Sequence, residues 1–151
     1  MNPEPKLLDF SRIKELQELV SQCHPTKKPK PDVWYFANPT LVLDSDSGYV
    51  GYTAFSIGYG SGTVMHLMDT GIRADYRGKG LAKQLMLARL DIARALEITL
   101  AIGATTPDNV PMKRLLEDLG FHACQRVSKY YHDEDPPRDG IIYSVTLNIG
   151  E

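Results

Sequence analysis

The sequence predicts an α/β (α+β) chain: a single domain over 1–151, with a central, mostly antiparallel mixed sheet flanked by helices. Three observations carry that prediction. Residues 40–44, 49–57 and 63–72 are apolar-rich runs separated by Ser45-Asp46-Ser47-Gly48 and Gly58-Tyr59-Gly60-Ser61-Gly62, the pattern of an antiparallel meander. Residues 81–96 then place Leu81, Leu85, Ala88, Ile92 and Ala95 along one helical stripe. Finally, residues 121–131 and 140–148 read as two closing strands, joined by an acidic connector with two prolines.

The remaining elements follow in order. Residues 11–23 put Ile13, Leu16, Leu19 and Val20 on one helical face and Lys14, Glu15 and Glu18 outside, with Asp9 or Ser11 as a cap. Pro25-Thr26-Lys27-Lys28-Pro29-Lys30-Pro31 is too rich in proline for a helix or a central strand. It reads either as a solvated connector or as a basic lip over an acidic ligand. Residues 98–102 are apolar apart from Thr99, as in a buried strand. Pro107-Asp108-Asn109-Val110-Pro111 opens another helix, with Asn109 as N-cap, Pro111 in the tolerated first turn and Gly120 at the end.

Composition bounds the function classes. A formal net charge of −2 gives no global attraction to nucleic acid or to an anionic membrane. Cys23 and Cys124 have no metal-ligand spacing and suit a reducing compartment, and no His/Cys cluster points to a metal. Without an apolar leader or a membrane-length run, the expectation is a cytoplasmic protein, monomeric or homodimeric.

The chemistry concentrates at Arg77-Gly78-Lys79-Gly80-Leu81-Ala82, where a strand turns into a helix. The first N–H groups of a helix lack intrahelical partners and sit at the positive end of its dipole, which suits an anion. Gly78 and Gly80 let backbone approach a phosphate closely. A P-loop is excluded, because Gly-x-x-x-x-Gly-Lys-Ser/Thr is absent.

The order of elements, and the run Gly71-Ile72-Arg73-Ala74-Asp75-Tyr76-Arg77-Gly78-Lys79-Gly80-Leu81-Ala82, resemble the GNAT family of acetyl-CoA-dependent N-acetyltransferases. Asn109 through Leu119-Gly120-Phe121 is similar to the family's second motif. The resemblance implies acetyl-CoA as cofactor. Its diphosphate would lie over the N–H groups from Gly78 to Lys83, with charge from Arg77, Lys79 and Lys83. Gly71, Ile72 and Arg73 would offer edge-strand backbone to the pantetheine arm, and Asn109 would stand near the thioester end, unless it only caps its helix.

Gly120-Phe121, Tyr130-Tyr131 and Asp139-Gly140-Ile141-Ile142 resemble the branch that acetylates protein N-termini, including the ribosomal-protein N-α-acetyltransferases. There the paired tyrosines would hold the first residues of a peptide; the alternative is that Tyr130 and Tyr131 simply finish a strand. Leu116 stands where that branch has a tyrosine acid, and Ala104 where it has a glutamate base. His66 is the substitute base and Tyr130 the substitute acid, with His66 otherwise a surface residue. By alternation Asp69 falls on the strand face opposite His66.

The implied reaction is acetyl transfer to a primary amine by direct attack on the thioester, with the site positioning the reactants. An α-amine, with a reference pKa of about 8, needs less help than lysine at about 10.4. A peptide N-terminus therefore leads over a small-molecule amine. A non-catalytic acyl-CoA-binding module is the rival from another class.

Overall fold

The computed structural model describes residues 3–58 and 64–147. Its sheet has seven strands in the order β1-β2-β3-β4-β5-β7-β6: β1 (Pro5–Leu7), β2 (Thr40–Ser45), β3 (Gly48–Ile57), β4 (Val64–Ile72), β5 (Leu100–Thr105), β6 (His122–Tyr131) and β7 (Arg138–Thr146). β4 and β5 run parallel, while β1–β2, β2–β3, β5–β7 and β6–β7 are antiparallel, which is the mixed sheet the sequence predicts. The helices are α1 (Ile13–Cys23), α2 (Asp32–Ala37), α3 (Leu81–Ala95) and α4 (Val110–Asp118). By packing, the chain forms two compact units: Met1–Ser56 with Met68–Arg89, and Ile57–Leu67 with Leu90–Glu151.

In the first unit, α1 turns Leu16, Leu19 and Val20 inward, onto Leu8, Tyr35, Val42, Tyr49 and Tyr52. Apolar burial of this kind is worth roughly 25 cal/mol per Å² removed from water. A 3-10 turn, Phe10–Arg12, precedes the helix, and Asp9 Oδ1 accepts the Ser11 N–H at 3.0 Å. Arg12 then ties α1 to the strands. Its guanidinium donates to Asp44 at 2.6 and 3.0 Å and to Glu15 at 2.8 and 2.9 Å, and Glu15 accepts the Tyr49 N–H at 2.9 Å.

In the second unit β5 buries alternate residues, Ala101, Gly103 and Thr105, rather than forming the uniformly buried strand expected at 98–102. Asn109 caps α4, its Oδ1 accepting the Met112 N–H at 3.3 Å, and Gly120 ends the helix region at φ +88°. β6 is exposed over most of its length and carries two register irregularities against β7, a usual device for blunting a sheet edge.

Several elements differ from the sequence expectation. β1 and α2 span three and six residues, too short to show a period, and both lie among prolines. The α3 stripe is rotated: Leu81, Leu85, Met86, Arg89, Leu90 and Ala93 are buried, whereas Ala95 is exposed. The expected turn from Tyr59 to Gly62, and Thr63 and Asn148 at strand ends, lie outside the described residues. Cys23 and Cys124 are both free thiols. Among the described residues no helix is long and apolar enough to cross a membrane.

Candidate active site

β4 leads through a 3-10 turn, Ala74–Tyr76, into Arg77–Gly80 and then α3. Gly78 and Gly80 both have φ +76°, the left-handed region that disfavours a side chain, and a Cβ at either would meet nothing within 4 Å. The turn is therefore open on the side where a ligand would lie. The Gly80 carbonyl accepts the Gln84 N–H at 3.1 Å, so α3 begins there and the N–H groups of Leu81, Ala82 and Lys83 have no intrahelical acceptor. Lys79 and Lys83 are exposed, and Lys79 Nζ stands 4.7 Å from the Tyr76 ring centroid. Open backbone donors at a helix N-terminus with two exposed ammonium groups fit the diphosphate of acetyl-CoA.

Other residues of the motif serve the fold. A Cβ at Gly71 would come within 2.6 Å of the Tyr52 ring and 2.8 Å of Cys23, so that glycine is required by packing. Ile72 and Leu81 are buried, and Ala82 is half-buried. Arg73 is engaged by Asp75 at 2.7 and 3.0 Å and by Ser47 Oγ at 3.1 Å. Arg77 Nε donates to the Ile72 carbonyl at 2.9 Å, and the Arg77 guanidinium partly offsets the rise that burial imposes on the Cys23 thiol pKa. Arg77 thus braces the strand end instead of standing wholly over the turn.

The C-terminal stretch of β4 is unusually furnished. The Thr70 carbonyl lies 3.1 Å from His24 Nε2, and Thr70 Oγ1 is 2.6 Å from Thr53 Oγ1 on β3. Asp69 pairs with Lys27 at 3.2 Å, so one lysine of the proline-rich connector is tied to β4. β4 is also not a regular strand. The Arg73 N–H reaches the Val50 carbonyl and the Gly58 N–H reaches the Val64 carbonyl, which puts eight residue steps on β3 against nine on β4. β4 therefore carries one extra residue, a bulge. Strict alternation fails across such a bulge.

Sequence reasoning missed Arg89 altogether. A charged residue in a helical pattern reads as solvent-facing, yet Arg89 is 1% exposed, and Nη1 donates to the Ala54 carbonyl at 3.0 Å and the Met68 carbonyl at 3.4 Å. Burial pushes its pKa down to about 9, which still leaves it charged at neutral pH.

In the second unit, His66 is exposed on β4, opposite Ile102 of β5, and a Cβ on Gly58 would lie 3.5 Å from its Nε2. Leu116 is a core residue of α4 at 2% exposure, and Ala104 pairs with Ile142, so neither offers proton chemistry. Asn109 is exposed and acts as the helix cap.

Tyr130 and Tyr131 close β6 with ring centroids 5.0 Å apart, edge to face. Tyr130 is 43% exposed, and its ring packs where a Cβ on Gly140 would intrude at 2.8 Å. The preceding Lys129 has φ +53°, and its N–H donates to Asp139 Oδ1 at 3.0 Å; that bond, then Arg126, holds the Asp139 carboxyl below its ordinary pKa. Nearby, Pro107, Asp108, Arg126, Pro137, Arg138 and Asp139 line an open cleft of about 350 Å³. Arg138 crosses it to Asp108 at 2.6 Å, and its Nη1 lies 3.7 Å from the buried Glu134.

Comparison with known proteins agrees with this geometry. The model of the acetyltransferase (GNAT) family matches residues 13–121. The L-2,4-diaminobutyric acid acetyltransferase of Virgibacillus pantothenticus is 24% identical over 107 residues, covering 70% of this chain and 67% of that protein. The fold is similar to that of the ribosomal-protein-S18-alanine N-acetyltransferase of Escherichia coli (TM-score 0.83, 16% identity, 100% and 97% of the two chains). It is also similar to an IAA acetyltransferase of Bacillus cereus (TM-score 0.77, 16% identity, 95% and 98%). These relatives carry different acceptor names, so they single out no branch. The chain belongs to the GNAT family of acetyltransferases, enzymes whose acyl donor is acetyl-CoA.

Proposed function

We propose that the chain, acting as one domain, acetylates the α-amine of a peptide or protein N-terminus. The observation that carries this reading is the Tyr130–Tyr131 pair, Tyr130 exposed and Tyr131 half-buried. A bulged strand end, a left-handed Lys129 and the Asp139 bond hold the Tyr130 ring toward solvent, with the half-buried Tyr131 ring edge-on against it. Such rings offer a peptide apolar faces and hydroxyl groups. The neighbouring cleft, lined by the Arg126–Asp139 and Arg138–Asp108 pairs, suits backbone amides and a charged terminus.

Acetyl-CoA supplies the acetyl group as an activated thioester. The Gly78–Lys83 turn binds its diphosphate, with Lys79 and Lys83 adding charge. On β4 the Thr70 and Ile72 carbonyls already accept from His24 and Arg77, so the edge offers chiefly N–H groups to an amide-bearing arm. Gly71, Ile72, Arg73, Leu81 and Ala82 shape that edge and turn through packing. His66 takes the proton from the acceptor amine through water, Tyr130 serves as the acid, and Asn109 presents the start of α4. With no carboxylate base at Ala104, a weakly basic amine is favoured over lysine.

A small-molecule amine is the second reading, favoured by the diaminobutyrate acetyltransferase among the relatives. Thiol release with acetyl-CoA, measured on a pool of short peptides with free N-termini and on a panel of diamino acids, separates the two. Turnover on peptides that vanishes when the N-terminus is blocked supports the proposal. Turnover on diamino acids alone overturns it.

A further inference from the structure

We propose that Arg89 is a positioning residue for the acyl-CoA arm: its guanidinium holds the β4 bulge at Met68 and so sets the backbone edge that follows. The inference rests on the reading of β4 given above as the strand along which that arm lies.

Core stability does not explain this arginine. It is buried, Nη1 is shared by two carbonyls, Nη2 reaches only Met86 Sδ at 3.5 Å, and Nε has no partner. Among the described residues no carboxylate pairs with it. An unpaired buried cation is destabilising, and an apolar side chain of similar volume would serve the core better.

What the guanidinium does satisfy is local. Thr53 and Thr70 face each other in the register fixed by Arg73 and Val50, while Gly58 and Val64 belong to a register one residue out of step. The extra residue of β4 therefore lies between Val64 and Thr70. In the first register Ala54 falls opposite Asp69, and in the second it falls opposite Met68. The two carbonyls that Arg89 bridges, Ala54 and Met68, lie within the span that holds the extra residue. A bulge leaves a ladder position unmet, and the one amino group Nη1 supplies a donor to both carbonyls.

The place matters because the pairing of β4 with β5 ends there. That pairing runs from Val64↔Leu100 to Leu67↔Gly103, and Met68 is the next residue. Met68 begins the stretch that carries Thr70 and Ile72 into the cofactor turn. A bulge re-aims the backbone beyond it, and Arg89 fixes how far.

The test compares coenzyme A with 3′-phosphoadenosine 5′-diphosphate, which has the nucleotide and diphosphate but no pantetheine arm. Calorimetry is run on wild type, Arg89→Leu and Arg89→Lys, with thermal melts and hydrogen exchange on the same preparations. Arg89→Leu should stay folded, lose protection in the peptide containing Met68 to Ile72, and bind coenzyme A about tenfold more weakly, the equivalent of one lost backbone contact. The truncated nucleotide should bind it as it binds wild type, and Arg89→Lys should recover part of the difference. If Arg89→Leu does not fold, Arg89→Gln, which keeps one amide donor, reads the same ratio. Equal weakening of both ligands, or of neither, overturns the positioning role. A wild-type protein that binds neither ligand overturns the cofactor turn beneath it as well.

Discussion

Gly80 concentrates two constraints in one position, a left-handed backbone and an open face. Gly80→Asp should therefore weaken acetyl-CoA binding by about tenfold or more, since it sets a like charge where the diphosphate lies. Backbone strain alone would also lower stability, so a matched control is needed. Gly120 has φ +88° and equally open surroundings but closes α4. Gly120→Asp should melt as early as Gly80→Asp and yet bind acetyl-CoA like wild type; equal binding losses in the two would mean that strain, not charge, is being read. His66 is tested by its pH dependence. His66→Ala should lower turnover on a peptide much more than acetyl-CoA affinity, and higher pH should restore part of the loss by supplying neutral amine. Identical pH profiles for variant and wild type would remove His66 from the proton path. The residues that sequence reading reached are those whose type betrays their setting, such as paired glycines before a helix. Arg89 was out of reach because burial of a charge depends on a strand irregularity that no local pattern announces. Arg73 and Arg77 look like ligand cations in a motif, and only their geometry shows them braced by Asp75 and by the Ile72 carbonyl.

At the scale of elements, the long periodic segments were legible and the short ones were not. α1, α3 and α4 declare themselves by spacing and caps, whereas β1 and α2 are held by the neighbours they pack on. The β4 bulge was invisible because a strand with one extra residue keeps the same composition. α1 is fastened to β2 and β3 by Arg12, whose hydrogen bonds are the first cause of the lowered pKa of both Glu15 and Asp44. Because those folded-state values are depressed, the stability they supply is complete above the ordinary carboxylate range of about 4 and is lost as pH falls through the lower folded values. In Arg12→Met that contribution is absent at every pH. The melting temperatures of wild type and variant should differ by a constant amount from about pH 8 to 5 and converge below about pH 4. A gap that persists to pH 2.5 would assign Arg12 a packing role over the Tyr49 ring, 3.9 Å from its guanidinium carbon, rather than an ionic one. At the other end of the sheet, Tyr131→Ala should raise peptide KM roughly 30-fold, about 2 kcal/mol at an aromatic anchor, with acetyl-CoA affinity unchanged. An early melt with normal peptide kinetics per folded molecule would make the tyrosine a strand residue and favour small amines.

For the molecule as a whole, charge is the property that sets how cofactor binding responds to its surroundings. The chain is net negative, −2, and its cofactor is a polyanion, so attraction has to come from local cations at the turn. Lys79 and Lys83 are exposed there, and their fields reach about 10 Å at 0.1 M salt but only about 3 Å at 1 M. Ligand that binds only the folded chain raises its stability by about 2.7 kcal/mol at one hundred times its Kd. For a chain of this size that corresponds to a melting shift of roughly 5–10 °C. Acetyl-CoA should therefore protect the wild type strongly at low ionic strength and less as salt is added. Lys79→Gln with Lys83→Gln should shrink the low-salt shift at the same ligand concentration and flatten its dependence on salt, while leaving the ligand-free melt near wild type, because neither lysine is buried. A double variant with the full shift and the full salt slope would move the electrostatic contact away from the turn, onto cations that the fold places elsewhere.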